Sequence, residues 1–122
     1  MARHILLIED EPNIIEAMQF ILMRDGWQVS THPDGIGAEE AIRRVQPDVV
    51  VLDVMLPGRS GLDVLAALRA DAATQALPIL MLTARGHSGD RAEAERIGVD
   101  RFMTKPFSNS EILAALRGMV AP

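Results

Sequence analysis

Apolar runs that are too short for helices alternate with amphipathic segments along the whole chain. The run Val49–Leu52 is continuous and rich in β-branched residues, which is typical of a strand buried on both faces of a parallel sheet. A second, partly polar run is expected to lie near a sheet edge. The predicted strands are His4–Ile8, Gln28–His32, Asp48–Asp53, Pro78–Leu82 and Asp100–Thr104.

The amphipathic segments predict a helix after each strand. Pro12 suits the first turn of the first helix, and Gly26 stops that helix. The second helix ends before Pro47, because the residue before a proline resists helical geometry. Gly98 is the expected C-cap of the fourth helix. The predicted helices are Pro12–Asp25, Gly35–Val45, Leu62–Asp71, Asp90–Ile97 and one that begins at Ser108 or Asn109.

Five strands that alternate with five helices predict an α/β fold with a parallel sheet and right-handed connections. Short strands and a compact chain favour the flavodoxin-like (βα)5 arrangement, which is a doubly wound five-stranded sheet with strand order 2-1-3-4-5. The first and third strands are neighbours in this order. Residues 1–122 are expected to form one domain.

The composition restricts the classes of function. The chain has no Cys, which excludes disulfides, thiolate zinc sites and cysteine nucleophiles and suits a cytoplasmic location. A net charge of −5 without a Lys/Arg cluster argues against direct nucleic-acid binding. No apolar run is long enough to cross a bilayer and no signal peptide is visible, so no membrane association is expected.

Polar residues stand at the carboxyl ends of the predicted strands. Glu9 and Asp10 follow the first strand, and Asp53 ends the third. Thr83 follows the fourth strand, and Lys105 follows the fifth. Open α/β sheets place their chemistry at this edge, so we expect these five side chains to lie together. Each of them alone is explained by a turn, a helix start or a surface position, but their joint occurrence at ordered strand ends favours a site.

Three carboxylates in one cleft repel each other and raise one another's pKa unless a cation compensates for their charge. Lys105 supplies one positive charge. Clustered carboxylates without His or Cys are also suited to Mg²⁺. The next acidic residue, Glu11, is interpreted as a solvated side chain that is favoured at the positive end of a helix dipole.

Four segments of the chain carry a family resemblance. They are Ile8–Pro12, Leu52–Gly58, Leu82–Ala84 and Thr104–Phe107. In order and spacing they resemble the receiver domains of two-component response regulators, and the resemblance covers nearly the whole chain. The sequence is most similar in appearance to receivers that are joined to winged-helix DNA-binding domains.

The resemblance implies a role in phosphorelay signal transduction. Asp53 would accept a phosphoryl group from a phosphohistidine of a sensor histidine kinase or a histidine phosphotransfer protein. Asp10, Asp53 and the backbone carbonyl of Met55 would ligate Mg²⁺, with Glu9 acting through water. The protein would be a phosphoacceptor switch with self-catalysed phosphotransfer and slow autodephosphorylation rather than an enzyme.

The resemblance also implies how the switch operates. Lys105 would pair with one phosphoryl oxygen, and the Thr83 hydroxyl would donate to another. Phe102 would turn inward into the space that Thr83 leaves. A cis peptide bond between Lys105 and Pro106 is implied as well, an isomer that is accessible because residue 106 is proline.

Met55 and Arg85 are expected to tune the lifetime of the phosphoryl group. They lie two residues after Asp53 and Thr83, so their long side chains should flank the path of an attacking water. The plainer interpretation of Arg85 is a side chain that points to solvent.

The face formed by the fourth helix, the fifth strand and the fifth helix is the expected partner surface. Arg91 and Glu111 match one cross-subunit ion pair of the winged-helix regulators, and Asp100 matches half of another. Ala115 stands in place of the expected Arg partner, and Arg101 reverses the sign of a usual Asp. Exposed ion pairs contribute only about 0–1 kcal/mol. A mostly monomeric protein with at most a weak phosphorylation-dependent dimer is therefore expected, and its downstream protein target is not predicted.

Other functions remain as alternatives. A Mg²⁺-dependent aspartyl-phosphate phosphatase is one, although Met55 stands where such enzymes usually carry an acid/base carboxylate. A flavin or nucleotide module is disfavoured because no glycine-rich phosphate loop follows the first strand. The last helix ends close to Pro122, so the chain is expected to be either a stand-alone receiver, acting for example as a phosphate shuttle or sink, or an excised domain.

Overall fold

The computed structural model describes residues 3–84 and 88–120, with the backbone alone at Ser88. Strands and helices alternate along the chain. They are β1 (His4–Ile8), α1 (Pro12–Arg24), β2 (Gln28–His32), α2 (Ala38–Val45), β3 (Val49–Asp53), α3 (Gly61–Ala70), β4 (Ile79–Ala84), α4 (Ser88–Ile97), β5 (Arg101–Lys105) and α5 (Asn109–Met119).

The five strands form one parallel sheet in the order β2-β1-β3-β4-β5. This confirms the predicted strand order and the prediction that the second strand lies at an edge. β3 lies between β1 and β4, with Ile8 opposite Leu52 and Asp53 opposite Leu82. The carboxyl ends of β1 and β3 therefore meet at the same edge of the sheet.

The sheet separates two apolar cores. Helices α2, α3 and α4 pack over strand residues such as Leu6 and Ile8, whereas α1 and α5 cover Ile5 and Leu7 on the other face. Every residue of β3 is buried because both of its faces are covered. Burying a large aliphatic side chain stabilises a fold by roughly 1.5–3 kcal/mol. The residue at the end of β3, Asp53, is thus held on a rigid support.

The second helix begins later than predicted. α2 starts at Ala38 rather than at Gly35. The preceding residues form a turn in which the Ile36 amide donates to Asp34 Oδ1 (2.9 Å). Gly37 has a φ of 74°, which lies outside the right-handed helical region. The prediction at Gly35 was wrong because the periodic pattern does not register this left-handed residue.

Other boundaries shift by one or two residues. β5 begins at Arg101 rather than at Asp100 and extends to Lys105, and α4 begins at Ser88 rather than at Asp90. The choice between two caps for α5 is settled in favour of Ser108, whose hydroxyl accepts from the Glu111 amide while Glu111 Oε1 accepts from the Ser108 amide.

Two further expectations concern the backbone and the membrane. The peptide bond between Lys105 and Pro106 is cis, as the resemblance implied. Among residues 3–84 and 88–120, none of the helices has the length and apolar character that a bilayer crossing requires.

Candidate functional site

Three carboxylates meet at the carboxyl edge of the sheet. Glu9 follows β1 and its amide donates to the His32 carbonyl (3.1 Å), and Asp53 ends β3. Glu9 is fully buried and Asp53 is 1% exposed, whereas Asp10 faces solvent. One carboxylate oxygen from each residue lies within 4.8 Å of the other two. The structure therefore brings these three predicted residues together.

The Lys105 ammonium lies between the carboxylates. It donates to Glu9 Oε1 (3.0 Å), to Asp53 Oδ2 (3.2 Å) and to Glu11 Oε1 (2.9 Å). Lys105 arrives from β5 at the far edge of the sheet, and its side chain is only 13% exposed. One buried positive charge thus offsets part of the negative charge at the sheet edge.

The negative charge that Lys105 leaves uncompensated affects the pKa of Glu9. Burial, together with the neighbouring Asp53 carboxylate, raises the pKa of Glu9 from 4.5 to about 8. Burial by itself lowers the pKa of Lys105, but its hydrogen bonds to Glu11 and Glu9 raise that pKa by more, so the net shift is upward. Lys105 is therefore a permanent cation at neutral pH, and it does not fully compensate Glu9.

Two buried oxygens at this edge lack a hydrogen-bond partner among the described residues, Glu9 Oε2 and Asp53 Oδ1. Buried polar atoms of this kind are normally satisfied, so these two oxygens are available to a ligand that binds at this edge. The ligand atoms are all carboxylate oxygens, with an exposed carboxylate at Asp10. This donor set fits a hard divalent cation such as Mg²⁺.

The loop between β3 and α3 turns sharply behind Asp53. The Gly61 amide donates to the Val54 carbonyl (2.9 Å), and a Cβ on Gly61 would lie 2.0 Å from the Asp53 carbonyl oxygen. Glycine is required there because any side chain would displace the backbone of Asp53. Met55 lies in this loop, and its side chain is exposed.

Thr83 lies at the same sheet edge but makes a different contact. It is buried, and its hydroxyl donates to Asp90 Oδ2 of α4 (3.3 Å). Phe102 is half-buried on β5, opposite Met81 in register, and packs against the core beneath α4. In this structure Thr83 is thus linked to α4 rather than to the carboxylates.

Sequence reasoning missed two of these contacts. Glu11 was interpreted as a solvated helix-start residue, but it binds Lys105 directly. Asp90 was not considered at all as a partner of Thr83. The signal for Glu11 was its position two residues after Glu9, next to a cleft in which carboxylates outnumber cations. Arg85, the other residue expected to affect phosphoryl lifetime, lies outside the described residues.

Arg91 and Asp100 of the expected partner surface are engaged within the chain. Arg91 pairs with Glu95 of its own helix (3.8 Å). Asp100 Oδ2 accepts from Arg69 Nη2 (2.8 Å) and from the Ile79 amide (2.8 Å). Arg101 is exposed. A role of Asp100 inside the fold was not predicted.

The comparison of sequences decides the family. Residues 5–117 match the family described as the response regulator receiver domain. The chain belongs to this family. The receiver domain is 45% identical over 116 residues to the "Probable transcriptional regulatory protein TcrX" of Mycobacterium tuberculosis, an alignment that covers 95% of this chain and 49% of that protein. The chain spans about half the length of the curated relatives it matches, and these relatives are transcriptional regulatory proteins.

Solved receiver domains have the same fold. The receiver domain of sensor histidine kinase PA1611 from Pseudomonas aeruginosa is 29% identical, with a TM-score of 0.88 and 98% coverage of both chains, and its structure has a magnesium ion coordinated in the active site cleft. The BeF3-activated receiver domain of RstA from Klebsiella pneumoniae is also 29% identical, with a TM-score of 0.89 and coverage of 98% of this chain and 100% of that chain.

Proposed function

We propose that this receiver domain accepts a phosphoryl group on Asp53 and acts as a switch in a phosphorelay. The observation that carries the proposal is the environment of Asp53. It is buried at the end of the central strand, one oxygen is held by Lys105 at 3.2 Å, and the other has no partner among the described residues. A carboxylate fixed in this way is suited to nucleophilic attack on phosphorus.

The donor would be a phosphohistidine of a sensor histidine kinase or of a histidine phosphotransfer protein. An electron pair of the Asp53 carboxylate forms a new O–P bond, the P–N bond breaks, and its electron pair returns to the imidazole nitrogen. Phosphoryl transfer requires positioning and charge neutralisation more than covalent assistance. Lys105 supplies a fixed positive charge beside the attacking group and orients one Asp53 oxygen.

The proposal includes a Mg²⁺ ion, because the oxygen donors and the two unpartnered buried atoms fit one. Asp10, Asp53, Glu9 and the Met55 carbonyl would hold it. When bound, Mg²⁺ supplies positive charge that neutralises the carboxylates and the phosphoryl oxygens. The side chains of this chain then hold the acceptor in place, and the cytoplasm is the proposed location of the reaction.

The switch would start from Thr83. Its hydroxyl would exchange the Asp90 carboxylate for a phosphoryl oxygen, because the phosphoryl group adds strong acceptors and negative charge at Asp53. Moving Thr83 toward Asp53 would release α4 and open space for Phe102 to turn inward. The face that carries Arg91, Arg101 and Glu111 would then change shape, and a downstream protein would bind there.

Each molecule would accept one phosphoryl group and lose it slowly, so the domain would be a switch and not an enzyme with turnover. Met55 is proposed to shield the phosphoryl group from water, because its long, exposed side chain lies two residues after Asp53. Arg85 is proposed for the same role, from its position in the sequence alone.

Asp53→Asn tests the proposal. Wild type incubated with acetyl phosphate and Mg²⁺ should gain the mass of one phosphoryl group, and Asp53→Asn should gain none. The intact mass of each protein provides the measurement. Labelling of the variant at the wild-type level would refute Asp53 as the acceptor, and continuous release of phosphate from a small phosphomonoester would favour a phosphatase instead.

A further inference from the structure

The Lys105 ammonium has no donor left for a phosphoryl oxygen. A lysine ammonium carries three N–H donors and no acceptor. In the structure it makes three hydrogen bonds, to Glu9 Oε1 (3.0 Å), Glu11 Oε1 (2.9 Å) and Asp53 Oδ2 (3.2 Å). If Lys105 is to bind a phosphoryl oxygen at Asp53, one of these three bonds has to break.

Burial decides which bond can break at the lowest cost. The side chain of Glu9 is fully buried and that of Asp53 is 2% exposed. Removing the ammonium from either would leave a buried oxygen without water or a partner, which is unfavourable. The Glu11 side chain is 56% exposed, so water can replace the ammonium when Glu11 turns outward.

Among the residues that the structure describes, Glu11 has no second bonding partner that would hold its side chain in place. It is the N-cap residue of α1, yet its side chain accepts no capping hydrogen bond from the helix. Its side chain reaches instead across to Lys105, which lies 94 residues further along the chain. The carboxylate is therefore available to leave without loss of the helix cap.

We infer that Glu11 is a positioning residue. In the resting state it accepts the Lys105 N–H that a phosphoryl oxygen would bind, and it releases this N–H when Asp53 is phosphorylated. This inference rests on the proposed function of Asp53 and Lys105. Glu11 acts through Lys105 and competes with the phosphoryl oxygen for one N–H. It keeps Lys105 oriented before phosphorylation, and it lowers the affinity of the site for the phosphoryl group.

Beryllium fluoride in the presence of Mg²⁺ is the probe, because it binds an aspartate carboxylate as a phosphoryl mimic without turnover. Its affinity is measured by ¹⁹F NMR for wild type, Glu11→Gln and Glu16→Gln. Glu16 is an exposed residue of the same helix, so its variant controls for the identical change in net charge. Glu11→Gln should bind about two- to fivefold more tightly, the range expected for the loss of one exposed ion pair, and Glu16→Gln should match wild type.

A double-mutant cycle with Lys105→Met tests whether Glu11 changes the affinity for beryllium fluoride through Lys105. If Glu11 acts through the ammonium, the gain from Glu11→Gln should vanish in the Lys105→Met background. A gain that persists there, or an equal gain in Glu16→Gln, would show general repulsion of anions and overturn the inference. Unchanged or weaker binding by Glu11→Gln would also overturn it. A failure of the proposed function would give a different result, because wild type would then bind beryllium fluoride no more tightly than Asp53→Asn.

Discussion

At the scale of one residue, Glu9 is a buried carboxylate whose ionised form is electrostatically unfavourable. Its carboxylate is fully buried beside Asp53, and only one of its oxygens is bonded to Lys105. Burial and the neighbouring carboxylate raise its pKa to about 8. An ionised Glu9 therefore weakens the metal-free fold, a cost that is common where a site is arranged for binding rather than for stability.

The first prediction concerns the stability of metal-free protein as a function of pH. The folded-state pKa of Glu9 lies above its unfolded value of 4.5, so the folded state keeps a proton that the unfolded state has lost. The stabilisation from this proton is fully present below pH 4.5 and is lost as the pH rises to about 8. In EDTA, Glu9→Gln should therefore become progressively more stable than wild type across this range.

Each unit of pKa difference corresponds to about 1.4 kcal/mol, so the gain should reach a few kcal/mol and then level off. Urea unfolding at several pH values measures it. Glu16→Gln serves as the control, since it removes an exposed carboxylate from α1 and should run parallel to wild type. A Glu9→Gln profile that also runs parallel to wild type would show that ionised Glu9 costs no stability.

At the scale of elements, two loops are locked together beside the site. The β2–α2 loop rests on the β3–α3 loop, with the Gly35 amide donating to the Pro57 carbonyl (3.2 Å). A Cβ on Gly35 would lie 2.1 Å from the Arg59 carbonyl oxygen. Arg59 in turn donates to Glu39 of α2 (2.5 Å), which holds the pKa of Glu39 below its usual value. The loop that carries Met55 is thus fixed from its outer side.

This contact predicts that Gly35→Ala is destabilising. The new methyl group would collide with backbone rather than with a flexible side chain, so the two loops would have to separate. A cost of about 1–3 kcal/mol in the free energy of unfolding is expected, as for overpacked sites. Urea unfolding measures this cost.

Gly118→Ala is the matched control for Gly35→Ala. Gly118 lies in α5, and a Cβ there would meet nothing within 4 Å. The substitution should stabilise the protein by about 0.5–1 kcal/mol, because alanine favours a helix over glycine. If Gly35→Ala were as stable as Gly118→Ala, the two loops would not be in the close contact described above.

At the scale of the whole molecule, the α4-β5-α5 face is the surface that we propose phosphorylation changes. It holds a groove of about 530 Å³ that is lined by residues including Arg91, Phe102 and Glu111. The charges that would form cross-subunit pairs are already used within the chain, since Asp100 Oδ2 is bound by Arg69 and by the Ile79 amide. A symmetric dimer would have to compete with these contacts.

We therefore expect this chain to remain monomeric at tens of micromolar, both alone and with beryllium fluoride and Mg²⁺. Light scattering provides the measurement. Arg101→Asp is the variant to compare with wild type, because it restores the usual sign of charge at an exposed position. It should increase the fraction of dimer in the presence of beryllium fluoride and Mg²⁺. A stable twofold dimer of wild type through this face would show that packing outweighs the missing charges.

The local sequence pattern was sufficient to predict much of the fold and of the candidate site. The buried run that ends at Asp53 and the polar residues after β1 and at the end of β5 were recognisable, because buried strands and their ends have a characteristic pattern of apolar and polar residues. Strand order followed from alternation and chain length, and the topology then placed Glu9, Asp10, Asp53 and Lys105 at one sheet edge.

Tertiary structure alone decided which side chains pair. Glu11 and Lys105 are 94 residues apart, and Asp100 and Arg69 are 31 apart, so no local pattern links them. α2 starts at Ala38, after a loop in which Gly35 lies against Arg59. Such contacts depend on the distances between packed elements and on the burial of each partner, and periodicity along the chain contains neither quantity.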